Sequence, residues 1–431
     1  MSNILKIKIN KISQPTLLCW CVIVIPFLFG ILINLLQVSN SVKYILDVIW
    51  FFLLAFIFLN VIRKKAVVIK ESRVLYAWII MFLSFTLVVY ILNYQSFLYY
   101  LWGFRNNFRF YVVFFAFIIF LKANDVIAFW KFVDFVFWIN AAVCFLQCFW
   151  FNITQDYLGG IFGTSVGCNG YLNIFFVIIA TKSVIFYLNN KESLWLCFIK
   201  ISTMLFICAY AELKFFYVEF IFIIILAVII TDFSWRKLFI AIVSLIGVFM
   251  ATQLLAELFP QFSEIFTIKA MFETAYEGGY SSEVSVNRLN NIPIISERFL
   301  TTSSEKIFGL GLGNCDTADY SIVNTPFYMQ YSYLRYNWFS TSFIFLEMGG
   351  IGLLFFFGFF FVVCALTFSM LKKDIENRVY YQITIILSIC CVLIGVYNAS
   401  LRIECGYMVY FVLAIPFIIQ KESMKAARMR M

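Results

Sequence analysis

The chain has 431 residues, of which 63% are hydrophobic and only 13% charged, with a formal net charge of +9. Water-soluble domains need roughly a quarter of their residues charged, so this composition excludes a soluble globule and points to a chain that lives in a bilayer. The positive charge is spread through short loops, a pattern of membrane topology and not of nucleic-acid binding.

Residues 1–14 carry Lys6, Lys8 and Lys11 ahead of an apolar run from Thr16 to Gln37. That run is too long for a signal-peptide core and lacks a small-residue cleavage pattern, so a retained first helix with a cytoplasmic N-terminus is expected. Further runs long enough to span a hydrocarbon core follow at 43–62, 74–92, 126–151, 170–188, 194–211, 215–231, 236–255, 341–371, 379–397 and 402–420, and a shorter one at 108–121 completes the set. The expected fold is all-α, one integral membrane domain over residues 1–431 with about 12 transmembrane spans and both termini inside.

The basic residues test this count, because one miscounted helix would invert every later loop. The loops assigned to the inside hold Arg63-Lys64-Lys65 with Lys70 and Arg73, then Lys122, Lys191, Arg236-Lys237, Lys372-Lys373 with Arg378, and the tail Lys421, Lys425, Arg428 and Arg430. Outside segments hold far fewer. The long polar interval 256–340 is thereby expected on the extracytoplasmic side, as one large loop of short helices over the mouth of the bundle. Within it Ile292, Ile295 and Phe299 recur at helical spacing, with Asn291 as cap and Pro293 in the first turn.

Insertion of a charge into lipid costs a few kcal/mol, so ionisable residues at or just inside helix ends are candidates for function. Arg105 and Arg109 are four apart and share one helix face, either to hold a ligand or to reach headgroups. Glu212 and Lys214 occupy a hinge between two runs, with Glu219 further in; a structural ion pair is the plain alternative. Arg402 and Glu404 open the last run. Lys131 and Asp134, three apart near the inner end of the fifth run, are expected to pair locally. The outer residues together form a set of cations and carboxylates suited to a diphosphate, which Arg grips in bidentate fashion.

Most of the 12 Cys lie inside apolar runs, where they behave as small hydrophobes; Cys168, Cys315 and Cys405 fall in or near outer loops, where a disulfide is open to them. None makes a metal-ligand spacing. The absence of His removes the commonest general base and the commonest metal ligand together, and no bound metal is expected.

In Phe308-Gly309-Leu310-Gly311-Leu312-Gly313-Asn314 no Gly-Lys-Ser/Thr follows and the spacing is not that of a dinucleotide fingerprint. The run therefore reads as a turn that brings backbone close to a helix or a ligand. Arg288, the helix over 294–299, the run from Ile307 to Gly313, a polar gap, and Glu347-Met348-Gly349-Gly350-Ile351-Gly352-Leu353-Leu354-Phe355 at the start of a span together resemble the O-antigen polymerase and O-antigen ligase family of bacterial membrane proteins. Many spans, short loops and one large late extracytoplasmic loop resemble that family too.

The resemblance implies a place in the bacterial cytoplasmic membrane, an active site on its outer face, and an undecaprenyl-diphosphate-linked oligosaccharide as substrate. It implies membrane lipid, a flippase and a chain-length regulator protein as partners, with no cofactor and no nucleic acid. It also implies a cation at the mouth of the helix pair before the loop, where Lys214 stands in place of the usual Arg. The ligase branch has a His shortly before the position of Glu347, and Trp338 stands there in this chain. The polymerase branch is therefore favoured over the ligase, with a flippase for the same lipid as the other alternative; scarce Pro, six in all, and no related halves weigh against transport.

Two tasks follow for such a transferase. The departing diphosphate needs cations, for which Arg288, Lys214 and Arg298 are nominated, with Arg105, Arg109 and Arg402 in support. The acceptor hydroxyl needs a carboxylate base, for which Glu297, Glu347, Glu212 and Asp316 are candidates in that order.

Overall fold

In lipid every backbone N–H and C=O must be satisfied within its own segment, so each long apolar run is driven to form a helix. The computed structural model describes residues 13–63, 70–232, 234–258, 276, 286–317 and 323–430, and among these there are helices and no strand. Helix α1 (Gln14–Val24) begins where the Ser13 hydroxyl accepts from the Thr16 N–H, and continues through a 3-10 turn (Ile25–Leu28) and a π turn (Ile31–Leu35). Then come α2 (Ile45–Ile62), α3 (Lys70–Leu92), α4 (Phe97–Phe120), α5 (Ala123–Phe149), α6 (Asn169–Leu188), α7 (Leu194–Tyr210), α8 (Lys214–Ile230) and α9 (Trp235–Leu258). Three short helices follow: α10 (Asn291–Arg298), α11 (Ser303–Phe308) and α12 (Pro326–Tyr331). The chain closes with α13 (Ser340–Leu371), α14 (Arg378–Tyr397) and α15 (Gly406–Arg430).

Among the described residues, seven helices are long and apolar enough to cross a membrane: those over 40–62, 71–92, 123–149, 169–188, 235–258, 340–371 and 378–397. Their outer faces carry large bare hydrophobics such as Phe58 and Phe135, each exposed by 65%. An apolar surface of that extent belongs against lipid.

Hydrogen bonds sort the helix ends into two sets. At one end Thr16 donates to the Phe120 carbonyl (3.3 Å), and Arg378 donates to Asn189 (3.0 Å) and to Asp232 (2.8 Å). Lys421, buried there, caps the C-terminus of α4 by donating to the carbonyls of Ile118 (2.7 Å), Ile119 (3.2 Å) and Leu121 (2.6 Å). At the other end Arg105 meets Asp47, Tyr171 meets Glu404, and the Ser340 hydroxyl donates to the Asn398 carbonyl (3.0 Å). Between the two ends α4 packs on α15 through the ring pairs Phe110–Tyr410 (5.4 Å), Phe117–Phe411 (5.2 Å) and Phe114–Phe417 (5.9 Å). The basic loops lie at the first end, and Asp316 and Tyr336 of the polar interval at the second.

Four sequence expectations are corrected. Helix α4 starts at Phe97 and not near 108, because Arg105, Asn106, Asn107 and Arg109 break the hydropathy of the run but lie on the helix, three of them with partners from other elements and Asn107 bonded to the Gly103 carbonyl one turn back. The last helix starts at Gly406, which leaves Arg402 and Glu404 in the connection before it. Asn291 lies inside α10, where its side-chain amide donates to the carbonyls of Asn287 and Arg288; the cap position is Asn290, whose side chain accepts from the Asn287 N–H (2.6 Å). Asp134 does not pair with Lys131, which faces outward. It is held by the buried Lys182 (2.6 Å) and Lys200 (2.7 Å) of α6 and α7, since two cations already shielded from water outcompete one in solvent. Cys168, Cys315 and Cys405 are all free and buried. Lys6, Lys8, Lys11, Lys64, Lys65 and the central part of 256–340 lie outside the described residues.

Candidate functional site

The site begins with a break in a helix. Gly349 takes φ 62°, ψ −162° inside α13, and a residue in that region interrupts the i→i−4 ladder, which leaves carbonyls one turn earlier without their helical partners. The glycine run supplies the missing donors: the Leu310 N–H bonds to the Leu346 carbonyl and the Gly311 N–H to the Glu347 carbonyl, both at 2.9 Å. Glu347, fully buried, turns its side chain onto the same loop, and its Oε1 accepts from the Cys315 N–H at 3.1 Å. On its other side the loop lies against the start of α4, and the amide of Gln95, in the connection just before that helix, donates to the Leu312 carbonyl (2.6 Å).

Gly313, at φ 87°, sits so close to α4 that a Cβ would run into the Tyr99 carbonyl and the backbone of Gly103. Gly313→Ala is expected to lower thermal stability by about 1–3 kcal/mol. Gly167→Ala, at φ 84° but with open space around it, is expected to cost less. Equal losses in detergent melts would show that the loop is not clamped on α4.

This clamp delivers Asp316 to the end of α4. The Asn106 amide donates to its Oδ2 (2.6 Å) and the Thr317 N–H to its Oδ1 (2.8 Å), while the Trp102 indole N–H donates to the Thr317 carbonyl (3.2 Å). From the same face of α4, Arg105 forks onto both oxygens of Asp47, with its Nε at 2.9 Å from Oδ1, and lies over the ring of Trp102 (4.8 Å). One turn further in, Arg109 donates to the Arg402 carbonyl (3.0 Å) and lies 3.6 Å from Glu404 and 3.9 Å from Asp47. Tyr171 donates its hydroxyl to Glu404. Arg402 itself stacks on Phe343 at 3.7 Å.

The charges are nearly balanced, a mixed set of cations and carboxylates. Arg105 and Arg109 already face carboxylates. What remains unsatisfied is specific: Nε and Nη1 of Arg109 and Nε of Arg402 are buried and have no hydrogen-bond partner. Burial pushes the Asp316 carboxyl above its ordinary range, against the pull of Arg402, the Asn106 amide, the Thr317 N–H and Arg105. Burial acts on Glu404 in the same direction, but Arg109, Lys43 and the Tyr171 hydroxyl outweigh it and hold that carboxyl below its ordinary range.

Of the residues nominated from sequence, Arg105, Arg109, Arg402, Asp316 and Glu347 come together here, and Gly309, Gly311 and Gly313 form the turn that carries Asp316. Arg288 and Lys214 lie on the flank of the same end. The Arg288 guanidinium covers Tyr397 (4.3 Å) and reaches Phe339 (5.9 Å), Tyr397 stacks on Phe215 (3.7 Å), and the neighbouring Lys214 pairs with Glu212 at 2.9 Å. Glu297 and Arg298 are exposed at the end of α10, and no bond among the described residues ties them to the cluster. Sequence reasoning missed Asp47, Asn106 and Tyr171. Asp47 had a signal, an acid in the first turn of a long apolar run, whereas nothing in the sequence marked Asn106 or Tyr171. An open cavity of about 340 Å³ lies in the connection between α5 and α6, lined by Asn152, Thr154, Gln155 and Tyr157 among others, with no charged side chain in its wall. No protein-family model, curated protein or solved structure matches the chain, so the argument for function rests on the residues of this cluster.

Proposed function

We propose that the chain is a membrane glycosyltransferase that polymerises lipid-linked oligosaccharide repeat units. In this reading it crosses a bacterial cytoplasmic membrane about 12 times with both termini inside. It takes its donor from undecaprenyl diphosphate on the outer face and passes the glycan to the end of another lipid-linked glycan. One observation carries the proposal: buried guanidinium N–H groups of Arg109 and Arg402 without partners, set beside a carboxylate. Buried donors are almost always satisfied, and the oxygens of a diphosphate satisfy arginine forks in pairs.

The chemistry follows from these groups. The acceptor hydroxyl attacks the anomeric carbon as the bond from that carbon to the diphosphate oxygen breaks, and the electron pair leaves on the diphosphate. Arg109 and Arg402 meet the charge that develops there, with Arg288 and Lys214 along the approach. Asp316 takes the hydroxyl proton, and a carboxyl raised by burial is a better-matched base near neutral pH than a solvated one. Glu347 positions the loop that carries Asp316, and Glu297 has no part in this scheme.

A second reading, transport of the same lipid-linked glycan, is favoured by one feature. Glu219 is fully buried in α8, its Oε1 accepts from the Asn173 amide at 3.3 Å, and its Oε2 has no partner; a buried intramembrane acid of this kind is at home in a proton-coupled carrier. Purified protein incubated with a single lipid-linked repeat unit separates the two readings. A ladder of longer products is expected, whereas passage of the unit across a liposome without elongation would replace polymerisation with transport.

A further inference from the structure

The basic end of the bundle carries a second charged site, and the argument for it does not depend on the glycan-transfer reading. Between the turn joining α6 to α7 and the start of α9 lies a cavity of about 550 Å³, with Tyr187, Lys191, Glu192, Leu194 and Arg236 in its wall. Its acid is already spent. Glu192 is held by Lys182 (2.8 Å) and Lys200 (3.2 Å), and the same two buried lysines hold the half-buried Asp134, which closes a lattice of two cations and two anions. The next acid at this end, Asp232, is taken by Arg378 at 2.8 Å.

Two cations are left over. Lys191 and Arg236 are exposed, and neither has a carboxylate partner among the described residues. Each rests on a tyrosine ring instead, Lys191 on Tyr380 (5.4 Å) and Arg236 on Tyr187 (5.7 Å). Lys237, next in sequence, is turned away, donating to the carbonyls of Val228 (2.7 Å) and Thr231 at the end of α8.

The depth of the cavity is marked by two tryptophans. Trp195 follows Leu194 and Trp235 precedes Arg236, exposed by 74% and 78%, and Trp gathers where hydrocarbon meets headgroups. Below Trp195 the face of α7 continues as exposed Phe198 and Ile199, a surface for acyl chains. A cationic cavity at headgroup level above an apolar helix face matches a lipid that carries negative charge on a phosphate. We infer that this cavity binds the phosphate of an anionic phospholipid, with its chains laid along α7.

Native mass spectrometry of the full chain, released from vesicles of phosphatidylglycerol and phosphatidylcholine, tests the inference. Phosphatidylglycerol is expected to stay bound in preference, and the double variant K191A/R236A to weaken that retention on the order of tenfold. K191R/R236K is expected to keep it, as is K372A/K373A, which removes two other cations of the same end. Unchanged retention in K191A/R236A, or an equal loss in K372A/K373A, would overturn the site. Displacement of the lipid by millimolar inorganic phosphate would assign the cavity to a free anion and overturn the lipid.

Discussion

Arg109→Ala is expected to abolish chain elongation and to lower the unfolding temperature more than removal of any exposed cation. Its side chain is 4% exposed and serves three partners at once, the Arg402 carbonyl, Glu404 and Asp47. Removing it takes the cation from Glu404, while Asp47 keeps Arg105, and breaking a buried pair in this one-sided way costs about 3–5 kcal/mol. Loss of a donor aimed at developing charge costs a further factor on the order of 10²–10³ in rate.

The effect on stability should also depend on pH, with a definite sign. In the intact protein Glu404 lies below its ordinary range, so it contributes stability that is present above its unfolded value and lost as pH falls through its folded value. Without Arg109 the strongest of the influences that lower Glu404 is gone, its carboxyl rises, and this contribution shrinks. The gap between variant and parent should therefore narrow as pH falls below about 5. Arg109→Lys, which keeps the charge and loses the fork, should recover more stability than rate. Full elongation by Arg109→Ala would remove this residue from the site.

Glu347→Ala should be nearly as damaging to the fold, for a different reason. The carboxylate is fully buried and accepts from the Cys315 N–H. Truncation leaves that donor without an acceptor and opens a void beneath the loop, at a cost of about 2–5 kcal/mol in all. Glu347→Gln retains an acceptor oxygen at the same place, and elongation close to that of the parent is expected. If Glu347→Gln melted normally but made no polymer, Glu347 would be an acid–base group and Asp316 would lose that role.

The apolar runs were legible because lipid leaves the backbone few choices, and each of the runs read from hydropathy is helical. Hydropathy failed at Arg105–Arg109, where four polar residues look like the end of a span. Asp47, Asp316 and Glu404, the partners of Arg105, Asn106 and Arg109, come from three other places in the chain, and no local pattern announces a pairing across 58 or 210 residues. The glycine run shows a similar limit. Alternation of Gly309, Gly311 and Gly313 told of a tight turn, but not that a kink at Gly349 offers it free carbonyls. Glu297 ranked first among the candidate acids, yet it stands exposed at a helix end, where a carboxylate answers to water first.

The Lys421 cap has a mechanical side. With Lys421 tied to three carbonyls at one end, the Arg109 contacts fastening the other, and stacked rings between, α4 and α15 form a strut that resists sliding. Moving one past the other would forfeit three bonds worth about 0.5–1.5 kcal/mol apiece before anything was gained. In the proposed reading a growing polymer slips along the membrane surface as each unit is added, and the give for that movement is then to be sought away from this strut, among the elements around its rim.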